Sequence, residues 1–274
     1  MAILDYEESL ELARPVFLYK FILGTKSWRY ASSATDVLLQ DGTLWHACAI
    51  SHDGVKQTGD ATVDALTIDA PVELAPAQVF LANPPSKEMT LLIYQKDVSD
   101  PEVYAIYSGE CTQFTVPEYG KVHIVCETIS VTLRREGLRF GWQRGCPYSL
   151  YDERTCMVPK ASHGVVKQIL AINGNVVTVD IPDTDLSRYP GGFLEWTHPV
   201  KGTEYLGIES AGVSNGTITT FGYPKELYVG QSITMFRGCA RTPAACQEFG
   251  NFANYGGVPN MPGKSPFDGN NPFY

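Results

Sequence analysis

Arg144-Gly145-Cys146 and Arg237-Gly238-Cys239 repeat one tripeptide, and each opens a short cysteine pair. Nine residues separate Cys146 from Cys156, and six separate Cys239 from Cys246. Two close pairs of soft ligands, far apart in sequence, are how a fold assembles a four-thiolate site from two loops. Three chemistries fit such a quartet. Disulfides suit small secreted domains poor in core, whereas 274 residues can bury a large core. Structural zinc favours four cysteines, but through tighter knuckles than these gaps provide. An iron–sulfur cluster is also bound by four thiolates and is wider than one ion, so longer ligand loops suit it. The residues alone favour a metal site and leave its metal open.

Charge around the quartet points the same way. The chain carries a net charge of −9, yet most of its arginines cluster at 134, 135, 139, 144 and 154, then at 237 and 241. Arg144, Arg154 and Arg237 each precede a quartet cysteine by two residues. Guanidinium groups there would offset the excess negative charge of four thiolates. Gly145 and Gly238 would let backbone approach a bulky ligand, and Pro147 would stiffen the first loop. The other three thiols, Cys48, Cys111 and Cys126, sit in apolar, strand-like surroundings and read as buried free cysteines. His163 reads as a turn residue.

Other chemistry finds no anchor. Gly257 to Ser265 ends in Gly-Lys-Ser but has five residues between its glycines, one too many for a phosphate loop. The serine-elbow, zinc-peptidase and dinucleotide patterns do not occur, so no enzyme is expected. The acidic balance argues against specific nucleic-acid binding. Hydrophobic runs are too short for a helical membrane span. The acidic start of the chain is unlike a signal peptide, which implies synthesis in the cytoplasm.

The elements that must position the quartet are mainly strands. Val16–Leu23, Thr62–Ile68, Met89–Gln95, Val103–Ser108, Cys111–Val116 and Lys121–Leu133 read as strands, with one short helix within 71–82. Val37–Gln40 and Thr43–Cys48 flank Asp41-Gly42, a two-residue primed hairpin turn. A second hairpin joins Val165–Ile172 to Asn175–Ile181 through Asn173-Gly174. Short strands at this spacing predict a barrel or sandwich. The expected division is a β domain over 1–140 and a smaller β-rich domain over 141–274. Within the latter, 141–160 and 236–246 carry the thiols, and 247–274 forms an extended, aromatic-rich tail lying on a surface.

Phe236–Gly263 (FRGCARTPAACQEFGNFANYGGVPNMPG) closely resembles the C-terminal signature of tail tip, or baseplate hub, proteins of long flexible-tailed bacteriophages. That family includes the tail tip protein of lambda-like phages and the hub protein of gene transfer agents. Trp28–Ser33, Asp36-Val37 and Asp41–Trp45 are similar to its opening hairpins. The resemblance implies a non-enzymatic virion protein with a hub-type β-barrel or sandwich in its N-terminal domain. It implies a homotrimer that closes the tail tube during assembly and opens the way for genome ejection. Its partners would be the distal tail protein, the central fibre or receptor-binding proteins, and the tape-measure protein. It also implies a structural [4Fe-4S] cluster on Cys146, Cys156, Cys239 and Cys246. The rival reading is a cytoplasmic iron–sulfur or zinc protein with redox or hydrolytic activity.

Overall fold

A computed structural model describes residues 15–55, 64–97, 102–128, 141–180, 185–212 and 216–261. The fold is mainly β, as the strand-rich sequence predicts. The described residues divide into two compact units. One takes those up to 128 together with Thr197–Glu204; the other takes those from 141 to Trp196 and from Tyr205 onward. The sequence also predicts a short helical lead-in at 7–12 and a turn at 99–101; these, the strand start at 62 and the expected boundary at 140 lie outside the described residues.

The first unit is a nine-stranded sheet in the order β3-β4-β2-β1-β7-β8-β9-β6-β5. Its strands are β1 (Pro15–Leu23), β2 (Lys26–Ala31), β3 (Val37–Leu38), β4 (Leu44–Ala47), β5 (Ser51–His52), β6 (Leu66–Pro71), β7 (Met89–Asp97), β8 (Tyr104–Glu118) and β9 (Lys121–Thr128). Alternation places Tyr19, Phe21 and Leu23 on one face beside Met89, Leu91 and Ile93, with Ile68, Ile124 and Cys126 in the same core. Helix α1 (Ala75–Ala82), with Pro76 in its first turn, contributes Ala77 to that core.

Two local expectations for this unit are corrected. The turn at 41–42 is a three-residue loop: Leu39 N–H donates to the Thr43 carbonyl at 3.0 Å, and Gly42 alone is left-handed, at φ 80°. Either primed two-residue turn needs positive φ at its first central residue, which Asp41 does not adopt. The break expected near Ser108–Glu110 is absent from β8, which runs straight through. Gly109 is a close-approach residue there: a Cβ on it would lie 2.4 Å from the Glu127 carbonyl oxygen and 2.6 Å from the Tyr107 hydroxyl. It reads as a turn because glycine signals both.

In the second unit β10 (Gly164–Asn173), β11 (Val176–Val179), β12 (Phe193–His198), β13 (Gly202–Gly212), β14 (Thr217–Thr220) and β15 (Ser232–Phe236) form a closed barrel in the order β10-β11-β14-β13-β12-β15. Apart from Thr197–His198 and Gly202–Glu204, which count with the first unit, the closed barrel lies in this unit, whereas the sequence reading put the barrel or sandwich in the first. Strand β10 makes closure possible. Its first half pairs with β15, from Gly164↔Phe236 to Gln168↔Ser232, and its second half with β11, across a register shift between Ile169 and Ala171. Ile169, Val177, Leu194, Trp196, Ile208, Ile218, Ile233 and Met235 fill the interior. The β10–β11 turn is Gly174-Asn175, one residue later than expected, since Asn173 pairs with Val176 and Gly174 takes φ 61°. Glycine at the first central position is the type II′ arrangement.

Candidate four-thiol site

One register pair brings the two cysteine segments together. Gly164 opens β10 directly opposite Phe236, which closes β15. The chain entering the barrel (141–163) and the chain leaving it (from 237) therefore meet at the same end. Phe193, first residue of β12, also pairs with Phe236 and stacks on it at 4.8 Å between ring centroids. The turn before β12 thus becomes a third wall.

Cys146, Cys156, Cys239 and Cys246 all line one cavity of about 200 Å³, together with Tyr148, Gly191, Phe193, Arg241, Thr242 and Asn254. All seven cysteines of the chain are free thiols. Cys246 sits on helix α2 (Pro243–Glu248), whose start is fixed by Pro243 and by the Thr242 side chain accepting from Ala245 N–H at 3.2 Å. Arg241 is left-handed, at φ 58°, and donates its N–H to Cys239 Sγ at 3.4 Å. Its carbonyl accepts from Cys146 N–H at 2.9 Å, which ties the first pair to the second. Asn251 makes the other tie. Its side-chain amide lies 3.8 Å from Cys156 Sγ, and its carbonyl accepts from Cys246 Sγ at 3.1 Å.

Beneath the cavity is a small core of Tyr151, Val158 and Phe236, with Cys156, Phe193 and Phe249 against it. Tyr151 adopts φ 65° and donates its hydroxyl to the Arg237 carbonyl at 3.0 Å. Burial pushes its hydroxyl up to about 12. Burial also raises Cys239 and Cys246, and the neighbouring thiols push both further. For Cys239 the Arg241 N–H works in the opposite direction.

The flanking residues are used differently from the sequence reading. Gly238 admits no ligand: a Cβ there would lie 1.9 Å from the Pro190 carbonyl oxygen, so it serves backbone packing. Gly145 meets only the Arg241 carbonyl oxygen, at 3.6 Å from a built Cβ. The Arg237 guanidinium lies 4.5 Å from the Phe249 ring and contacts His163 Nδ1 at 2.9 Å, away from the thiols. Arg144 Nε donates to the Met261 carbonyl. Arg241, among these arginines, lines the cavity. Arg134, Arg135 and Arg139 lie outside the described residues. His163 caps a 3₁₀ turn, consistent with a turn residue.

Sequence reasoning expected the segment after α2 to lie extended on a surface, and its described part does lie on one. Instead of extending, its described part makes a 3₁₀ turn at Phe252–Asn254 and folds back on the first cysteine loop. The Tyr255 hydroxyl donates to the Arg144 carbonyl at 2.7 Å, and Val258 N–H donates to the Gln143 carbonyl at 2.9 Å. A Cβ on Gly257 would meet the Arg144 carbonyl oxygen at 2.6 Å. The Gly256-Gly257 pair was the available signal. Residues 262–274 lie outside the described residues.

Four cysteine thiols around one cavity are the donor type that zinc and iron–sulfur clusters share. Among the described residues no group of three His, Cys, Asp or Glu side chains is placed to hold a metal ion as they stand.

Comparisons with known proteins fall in one class. Residues 187–265 match a family model described as a phage conserved hypothetical protein, BR0599. No curated protein matches the chain. Its fold is similar to that of a chain in a solved structure entitled "Virion of native gene transfer agent (GTA) particle". The TM-score is 0.78 at 15% identity, over 96% of this chain and 93% of that one. The family model is a phage one and the fold is shared with a chain of a gene transfer agent virion, in keeping with the likeness carried by Phe236–Gly263.

Proposed function

We propose that this protein is a structural component of a phage-type virion tail. In this reading it is the tail tip hub, which closes the tube as a homotrimer between the distal tail protein and the central fibre. The observation that carries the reading is the convergence of Cys146, Cys156, Cys239 and Cys246 on one cavity, within a chain whose fold and C-terminal segment resemble phage virion proteins. Those four thiols would hold a structural [4Fe-4S] cluster, which would cross-link the segments before and after the barrel. The chain's own part is to present the thiols. Arg241 N–H and the Asn251 amide approach two of the sulfurs, and the aromatic core below them limits water.

Anaerobic purification with iron, acid-labile sulfide and zinc assays tests the metal, with equal iron and sulfide and little zinc expected. In a phage carrying this gene, Cys239→Ser should leave the chain expressed but poorly incorporated into tails. Zinc without sulfide overturns the cluster, and normal incorporation overturns its structural role.

A further inference from the structure

Two thiols outside this site form a pair of their own. Cys111 on β8 and Cys126 on β9 are direct cross-strand partners, and Cys126 Sγ donates to Cys111 Sγ at 3.4 Å. Opposed residues on antiparallel strands hold their Cβ atoms about 4.5–5.5 Å apart, and a disulfide needs about 3.5–4.5 Å. The pair thus stands at the edge of bonding distance. The ladder shifts register between Cys111 and Gln113, so the backbone has a place to yield beside Cys111.

The two sulfurs differ in access. Cys126 is fully buried, whereas Cys111 retains 5% exposure. Cys111 also lines a surface cavity of about 310 Å³ with Ser86, Lys87, Glu110 and Glu127. A small oxidant entering there meets Cys111 first, with Cys126 directly behind it. The Tyr107 hydroxyl, donating to the Cys126 carbonyl at 3.0 Å, fixes the backbone of the buried partner.

We propose that Cys111 and Cys126 are a peroxide-sensitive modification site that closes into a cross-strand disulfide between β8 and β9. The Cys111 sulfur attacks one peroxide oxygen and the O–O bond breaks. Cys111 becomes a sulfenic acid, and the departing hydroxide takes up the Cys111 proton as water. The Cys126 sulfur then attacks the Cys111 sulfur, the S–O bond breaks, and a second water leaves with the Cys126 proton. Two thiols and one hydrogen peroxide give one disulfide and two waters. A thiol reductant reverses the change by exchange. The bond would staple the β8–β9 hairpin at the third pair from the open end of its described ladder.

The test uses the full chain, reduced anaerobically and then exposed to hydrogen peroxide while folded. Free thiols are alkylated after denaturation, and peptides are mapped by mass spectrometry. The expected product joins the Cys111 and Cys126 peptides, disappears with dithiothreitol, forms in C48S and is lost in C126A. The oxidised wild type should melt at a higher temperature than the reduced form. If both residues remain alkylated at peroxide doses that oxidise Cys48, the proposal is overturned. It is equally overturned if the link forms only after denaturation. Should C126A not fold, the wild-type peptide map decides alone.

Discussion

Gly192 and Gly238 press against each other so closely that neither position has room for a side chain. A Cβ on Gly192 would lie 2.1 Å from the Phe236 carbonyl oxygen, and one on Gly238 would lie 2.7 Å from the Gly192 nitrogen. The contact holds the turn before β12 against the strand that leads into Cys239. Gly238→Ala should therefore destabilise the second unit by about 1–3 kcal/mol or more, because the clashing atoms are backbone and cannot rotate away. Thermal denaturation of wild type and variant measures this. An unchanged melting temperature would contradict the close packing.

Asn251 links Cys156 and Cys246 through one side chain and one backbone group. Asn251→Ala removes the amide near the Cys156 sulfur and its bond to the Cys156 carbonyl. Loss of such a bond costs about 1 kcal/mol. The expected result is a modest fall in melting temperature and, for the proposed cluster, a clear fall in iron bound per chain. Asn251→Asp should not restore the iron, since a carboxylate oxygen cannot donate to sulfur.

Lys160 reaches over the rings of Phe193, Tyr205 and Phe236, with its ammonium 4.8–5.3 Å from their centroids, and pairs with Glu195. Lys160→Met keeps the stem and removes the charge. It should cost about 1–2 kcal/mol, from lost cation–π attraction and an unpaired Glu195. Denaturant titration reads the change. In the double variant with Glu195→Gln, part of the loss should be recovered.

His52 predicts a pH effect confined to the first unit. Its ring lies against Phe17 and its Nδ1 meets the Tyr19 hydroxyl at 2.7 Å. Burial lowers its pKa below the usual 6.5, with Asp53 pulling weakly the other way. The unfolded chain therefore binds this proton more readily than the folded one. The stability contribution is complete above pH 6.5 and is lost as pH falls below it. His52→Gln should flatten the decline in melting temperature between pH 7 and pH 5. An identical decline in both proteins would contradict the assignment.

The sequence carried the strand content because alternation is local. Met89, Leu91 and Ile93 announce one buried face without reference to any partner. It also carried the quartet, because four thiols in two spaced pairs are rare and chemically specific. It did not carry barrel closure, which depends on Gly164 meeting Phe236 across 72 positions of sequence. Nor did it separate the two uses of glycine. Gly109 and Gly238 look like turn or ligand-approach residues in one dimension, and both are sites of backbone crowding in three. The back-folding of Tyr255 to Val258 was hidden for a related reason. Its partners are main-chain atoms of Gln143, Arg144 and Arg241, which no side-chain pattern encodes.

The hydrogen bond from Val258 to Gln143 has an architectural consequence. The stretch 143–258 therefore starts and finishes at a single spot, and joining its ends would need no long linker. Because Thr197–Glu204 counts with the first unit, that stretch could not be lifted out as a module of its own.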